Sequence, residues 1–326
     1  MKVLVTGATG FTGSVLAEKL AVKGHKVKVF VRNRSKMTMK HASEMEVVEG
    51  DITDREKIRE AVSGVEKVFH IAALFRQAGV PDQLYRDINI QATVDLLTAS
   101  REAGVKRFVH CSTVGVHGHI DDPPADEEYR FAPGDIYQRT KLEGEQQVFK
   151  FYHDTGFPIS VIRPGPIYGP GDLRLLKLFK LAAKSVTPIL GDGNVFFNMV
   201  YVEDLADVFI LAGEKEEAIG EVFLGAGPEN ICLNDIVDII ARLLNRPTRK
   251  LHLPAAPFQI AGTICEKICI PLGIEPPIYR RRVDFFTKSR AFTIDKARNL
   301  LGWDPIFNYE KGLAATVDWY RQQKLL

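Results

Sequence analysis

The sequence opens with a strand, a glycine turn and a helix, and no other stretch limits the fold as tightly. Lys2–Thr6 reads KVLVT, an apolar run suited to a buried strand. Thr6-Gly7-Ala8-Thr9-Gly10-Phe11-Thr12-Gly13 follows, with its glycines three apart. From Thr12 to Val22 the apolar residues recur at helical spacing, and Gly24 ends the segment. Glycines here let the chain turn sharply and bring backbone N–H groups close to an anion. The positive end of the helix then faces that charge. The turn predicts a pyrophosphate seat built from Gly7, Gly10, Phe11, Thr12 and Gly13. A purely structural turn is the competing reading.

Strand and helix signals keep alternating after it. Strands are expected at Val27–Val31, Val47–Glu49, Val68–Ala72, Phe108–Cys111 and Ile159–Ile162. Helices are expected at Ile52 to Val62, Leu84 to Ala103 and Tyr137 to Tyr152. Such alternation calls for parallel pairing with right-handed crossovers. Runs such as VLV and VFHIAA are apolar throughout, which suits a sheet covered on both faces. The expected fold is α/β, a Rossmann-type doubly wound parallel sheet with a smaller C-terminal substrate-binding region. Residues 1–165 form the dinucleotide-binding part in this reading, and 200–225 return to it. Residues 166–199 and 226–326 form the smaller region. Ligands on such sheets lie at the carboxyl ends of the strands.

The second strand ends Phe30-Val31-Arg32-Asn33-Arg34-Ser35-Lys36, with no acidic residue to grip a ribose 2′-hydroxyl. Arg32, helped by Arg34 or Lys36, suits the 2′-phosphate of NADP, and NAD stays possible. The bland reading is a set of solvated cations. Asp51 and Ile52, after the third strand, are placed for adenine. Asp51 alternatively caps the next helix, a task for which Asp54 competes.

Tyr137 and Lys141 are four residues apart and share one helix face. An ammonium beside a phenol favours the phenolate, so the pair suits proton exchange with an alcohol or ketone oxygen. Lys141 also suits a hydrogen bond to a ribose. The spacing alone is common by chance. Its context is His110-Cys111-Ser112-Thr113-Val114-Gly115-Val116-His117-Gly118, where Thr113 suits orientation of a substrate oxygen and Ser112 competes for that task.

Together these segments resemble the extended short-chain dehydrogenase/reductase superfamily over nearly the whole chain. TGATGFTG resembles its cofactor loop, and HIAA (His70–Ala73) its fourth-strand motif. STVGVHG resembles its hydroxyl motif, with His117 where tyrosine is usual. YGPGD, YVEDLADV and LGWDP resemble later signatures. The resemblance implies catalytic roles for Thr113, Tyr137, Lys141, Ser112 and Asn89. It implies cofactor contacts at Ala72, Ala73, Tyr137, Lys141 and Pro164. Sugar-nucleotide epimerases and dehydratases of this class carry an asparagine where this chain has Pro166. The stretches GPGDLRLLKLFKLAA and GDGNVFFNMVYVEDLADV are similar to the 3β-hydroxysteroid dehydrogenase and dihydroflavonol reductase branches. Members often pair through two helices per subunit, which implies a homodimer through Leu84–Ala103 and the helix after Tyr137.

Composition closes off other classes. Net charge is +2 in 326 residues, so no strong field draws nucleic acid or an anionic membrane. Arg280-Arg281-Arg282 reads as a local anion contact or a solvated face. No stretch reaches the length of a membrane span, and Ile260 to Leu272 reads as an amphipathic helix. A strand beginning at Lys2 leaves no secretory signal ahead of it, which favours the cytoplasm. Cys111, Cys232, Cys265 and Cys269 show no metal spacing and read as buried free thiols. Three functions fit: an NAD(P)-dependent alcohol/ketone oxidoreductase acting on a small molecule, a nucleotide-sugar 4-epimerase or dehydratase, and a non-catalytic dinucleotide sensor. A complete set of Thr113, Tyr137 and Lys141 argues against the sensor, which needs no proton donor.

Overall fold

The computed structural model describes residues 1–326 except 78, 270, 271, 273–276, 278 and 279; within a helix, the side chains of 280–282 also lie outside the description. The anion contact or solvated face read from Arg280-Arg281-Arg282 therefore falls outside the described residues, as does part of Ile260–Leu272.

Seven strands form one parallel sheet. They are β1 (Lys2–Thr6), β2 (Lys26–Val31), β3 (Glu46–Glu49), β4 (Lys67–His70), β5 (Arg107–Cys111), β6 (Ile159–Pro164) and β7 (Val222–Gly225). Their order is β7-β6-β5-β4-β1-β2-β3, so the chain winds outward from β1 in both directions. The strand order reverses beside β1, where ligands settle on such sheets. Strand β1 is registered with Val5 opposite Val29 on one side and Phe69 on the other. β6 is buried along its whole length, as a doubly covered strand should be.

Helices cover both faces. α1 (Phe11–Val22) packs with the helix Val202–Glu214 on one face, around a cluster that includes Val5, Leu16, Leu205 and Phe209. α2 (Arg55–Val62), α3 (Asp82–Arg86), α4 (Ala92–Glu102) and α5 (Ile136–Thr155) cover the other, around Leu4, Ile58, Leu96 and Phe108. α1 ends as expected at Gly24, whose φ of +82° admits the backbone bond from His25 N–H to Leu20. α2 is capped by Asp54, which accepts from the N–H groups of Glu56 and Lys57.

The continuous helix expected over Leu84–Ala103 is instead two helices joined by a π-turn at Asp87–Gln91. Thr93 donates its hydroxyl to the Asn89 carbonyl, and a Cβ on Gly144 of α5 would sit 2.4 Å from that same oxygen. Helix α5 thus presses against the widened turn, a local feature of the kind that gathers at functional sites.

A third cluster, with Tyr168, Phe179, Tyr309 and Tyr320 fully buried, holds the helices α6 (Leu176–Ala182), Leu233–Leu243 and Tyr309–Gln322 together. Two of the late motifs meet there. Asp204 of the YVEDLADV run accepts from the N–H groups of Ile306 and Phe307, and its carbonyl accepts from the Trp303 indole of LGWDP. The four cysteines are free and half-buried, rather than buried as expected, because each lies at a strand end or on a partly covered helix face. No described helix is long and apolar enough to cross a membrane.

Candidate active site

The glycine turn has the stereochemistry its sequence demands. Gly7 sits at φ +73°, and a Cβ there would lie 2.8 Å from the Ala72 nitrogen. A Cβ on Gly13 would lie 2.3 Å from the Gly7 carbonyl oxygen, which already accepts from Gly10 N–H at 2.9 Å. Gly10 caps α1 with no side-chain bond to the first turn. The leading N–H groups of α1 therefore face the strand ends with no side chain capping them. Phe11 is held by the Arg174 guanidinium, 5.4 Å from its ring, and by Gly171. The Pro/Gly-rich loop after β6 thus closes over this turn.

Thr6 ties β1 to β4. Its hydroxyl accepts from Ile71 and Ala72 N–H at 3.1 Å each, so its proton goes to His70 Nδ1 at 2.9 Å. Thr93 spends its own proton on Asn89, so His70 Nε2 donates to Thr93 at 3.0 Å. The tautomer follows from the partners. Burial, and secondarily the Lys141 charge, holds the His70 pKa down at about 3. This histidine is a neutral strut at the end of β4. The Asn89 side chain accepts from Leu74 N–H and donates to the Thr140 hydroxyl, so it clamps the loop after β4 onto α5.

Tyr137 begins the second residue of α5, whose cap is Asp135. Lys141 lies one turn on, 2% exposed, and forms no ion pair among the described residues. Burial lowers its pKa, while Cys111 and Glu145 oppose that shift. The Thr113 hydroxyl accepts from Gly115 N–H at 3.1 Å, and its side chain is a minor influence against the burial that raises the Tyr137 pKa. The Ser112 hydroxyl instead is buried with no described partner. Of the two hydroxyls, Thr113 is the one that acts on the phenol.

Here the electrostatics depart from expectation. Burial is the first influence on Tyr137 and pushes its pKa up; Cys111 adds to this. The Arg76 charge opposes that rise. Arg76 lies 5.6 Å from the Tyr137 ring centre and donates to Asp135 at 2.8 Å. Phe75 meets the same ring edge-on at 5.0 Å. Sequence reading missed Phe75, Arg76 and Asp135. Their one signal was position, directly after HIAA and directly before the tyrosine helix.

The other expected residues divide by location. Arg32 is exposed at the end of β2. Asp51 is exposed and accepts from Thr53 N–H and hydroxyl, while Asp54 takes the helix cap. Ile52 is buried beneath it. Ala72 borders Gly7, Ala73 is exposed beside it, and Pro164 is buried at the end of β6. Arg163 is held in a buried network. It is bidentate to Glu145, donates to the Glu127 carbonyl at 2.6 Å, and donates to His117 Nε2 at 3.1 Å. The usual tyrosine is thus replaced by a fully buried histidine that supports Arg163.

Comparison with known proteins agrees with this architecture. The model of the NAD dependent epimerase/dehydratase family matches residues 3–224. Sterol demethylase protein B of Methylococcus capsulatus is 32% identical, with full coverage of both chains. The 3-beta-hydroxysteroid dehydrogenase of Mycolicibacterium neoaurum is 29% identical over 98% of this chain and 91% of its own. The UDP-glucuronic acid 4-epimerase of Bacillus cereus, solved in complex with NAD, superposes with a TM-score of 0.78 at 25% identity, covering 99% of each chain.

Proposed function

The chain belongs to the NAD dependent epimerase/dehydratase family, and from that premise we propose that it is an NAD(P)-dependent oxidoreductase interconverting a secondary alcohol and a ketone, with Tyr137 as proton donor and acceptor. One observation carries the reading. Tyr137 lies a helical turn from a buried Lys141 that forms no ion pair among the described residues. Bound NAD or NADP supplies the carbon that gives or takes the hydride. Thr113 orients the substrate oxygen, and Tyr137 exchanges its proton with that oxygen. Lys141 keeps its proton for a ribose hydroxyl and stabilises the phenolate as it forms. Asn89 and Ser112 position these groups from behind.

The glycine turn fits a dinucleotide. Two of its glycines leave no room for a Cβ, and the N-terminus of α1 is left uncapped by side chains. In this proposal Gly7, Gly10, Phe11, Thr12 and Gly13 hold the phosphates, while Asp51 and Ile52 border the adenine. Arg32, exposed where a 2′-phosphate would lie, favours NADP over NAD. Ala72, Ala73 and Pro164 line the nicotinamide side. Residues 1–165 with 200–225 serve the cofactor, and 166–199 with 226–326 serve the substrate. The names of the Methylococcus and Mycolicibacterium relatives favour a bulky, largely apolar substrate. A cytoplasmic homodimer paired through α4 and α5 belongs to the same reading.

The epimerase/dehydratase alternative draws on the likeness to the Bacillus cereus enzyme. Against it stands Pro166, whose side chain has no hydrogen-bonding group for a sugar diphosphate. The test is turnover of a ketone and alcohol panel with NADPH, NADH and their oxidised forms. Tyr137→Phe should cut hydride transfer by about 10²- to 10⁴-fold with cofactor affinity kept. A Tyr137→Phe protein of near wild-type activity refutes the proton role. Turnover of a UDP-sugar with no net change in cofactor redox state selects the epimerase.

A further inference from the structure

The glycine turn brings no charge of its own to a dianionic ligand. Every side chain of Thr6–Gly13 is uncharged, and Ser14 completes the first turn of α1 without a cation. A pyrophosphate seated there meets backbone N–H groups alone unless another segment supplies a positive charge. The Pro/Gly-rich loop after β6 supplies one. The Arg174 guanidinium lies 5.4 Å from the ring centre of Phe11, the first residue of α1. Gly171 of the same loop, at φ +100°, would set a Cβ 3.4 Å from that ring. Arg174 is tied down on its other sides. Its Nε donates to Asp172 at 2.7 Å, its backbone N–H to the same carboxylate oxygen at 3.1 Å, and its Nη2 to the Ile167 carbonyl at 2.8 Å. Asp172 is 1% exposed and equally fixed. Its second oxygen accepts from Leu175 N–H, and its carbonyl accepts from the Tyr320 hydroxyl at 2.6 Å. Nη1 of Arg174 donates to no described residue, and the side chain is 45% exposed.

We infer that Arg174 is a cofactor residue supplied by the substrate-side loop, and that its unspent Nη1 edge grips the pyrophosphate resting on the glycine turn. The inference rests on the dinucleotide reading of that turn. An arginine stacked on an aromatic ring engages through its flat face and keeps its N–H edge for an oxyanion. Phosphate oxygens and a guanidinium form charge-assisted bonds of matched geometry. Asp172 and the Ile167 carbonyl already hold the side chain, so little of its rotamer freedom is left to lose on binding. The loop belongs to 166–199, the part assigned to the substrate. The phosphate seat is therefore completed across the two parts of the chain.

The experiment titrates the full-length protein calorimetrically with NAD, NADP, ADP-ribose and 2′-phospho-ADP-ribose, at low and at high potassium chloride. The last two keep the pyrophosphate and lack the nicotinamide. Arg174→Met preserves an unbranched stem over Phe11 and removes the charge. It should weaken the tighter-binding cofactor and its matching ADP-ribose alike, by roughly tenfold or more at low salt. The loss should shrink at high salt, and Arg174→Lys should recover part of it. Circular dichroism melts show whether each variant is folded, and Arg174→Gln carries the same comparison if Arg174→Met is not. Cofactor affinity within twofold of wild type in a folded variant overturns the inference. So does a loss confined to the intact cofactors, which places the contact on the nicotinamide side. A loss that is equal for Met and Lys and indifferent to salt also overturns it, by leaving Arg174 only the packing of Phe11. Binding is read without turnover, so absence of hydride transfer by the wild type touches only the oxidoreductase reading. Wild type that binds none of the four ligands removes the dinucleotide reading and this inference together.

Discussion

Replacing Gly13 by alanine tests the glycine turn most directly, because two effects of known sign oppose each other there. An alanine in a helix is ordinarily worth about 1 kcal/mol more than a glycine. At Gly13 the new Cβ would lie 2.3 Å from the Gly7 oxygen and 2.7 Å from the Gly7 carbonyl carbon. Ordinary contact begins at 3.4 Å, so helix and turn must part by about 1 Å. Gly7 cannot yield easily, since it sits at φ +73° with its other side against Ala72. Overpacking of this kind costs about 1–3 kcal/mol, leaving a net loss of up to about 2 kcal/mol. The same displacement misaligns the first N–H groups of α1 with a pyrophosphate. Losing one charge-assisted bond costs about 1.5–3 kcal/mol, or roughly 10- to 100-fold in affinity. Urea unfolding and calorimetric titration with NAD and NADP measure the two quantities separately. A Gly13→Ala protein that is more stable than wild type and binds cofactor within twofold of it would refute the argument.

Three further outcomes follow from the charged groups. His70 is held neutral, with its pKa near 3 against about 6.5 unfolded, so the unfolded chain binds the proton first as pH falls. The stability it contributes is complete above pH 6.5 and is lost toward pH 3, at up to about 1.4 kcal/mol per pH unit. Urea midpoints between pH 7 and 4.5 should fall less steeply for His70→Asn, and equal slopes would contradict this account. Glu145→Ala strands a buried Arg163 and should cost about 3–5 kcal/mol in the same unfolding assay; a loss under about 1 kcal/mol would mean the network adapts. Arg32→Asp should lower the ratio of NADP to NAD affinity, and an unchanged ratio would remove Arg32 from cofactor choice.

Much of the fold was legible along the chain because its signals are local. Apolar runs marked the central strands, their boundaries moving by a residue or two, and Gly24 marked the end of α1 through the left-handed φ it adopts. The glycine turn was equally readable, since the approach of Gly13 to Gly7 lies within eight consecutive residues, although the contact of Gly7 with Ala72 does not. The same holds for Tyr137 and Lys141, whose shared face is a property of helical pitch alone.

Other features depend on residues far apart in sequence, which no window of periodicity contains. Arg76 meets Asp135 across 59 positions, which brings to the Tyr137 ring a guanidinium that no local pattern announces. Asp204 meets Trp303 across 99, which turns two separate motifs into one joint. The π-turn at Asp87–Gln91 answers to the close approach of Gly144 on another helix, so the sequence of that stretch reads as unbroken helix. What the sequence determined alone was backbone conformation, because φ preference and amphipathic period act between near neighbours. Which charges face the phenol was decided only by tertiary structure, because burial and ion pairing are set by whichever segments the sheet order brings side by side.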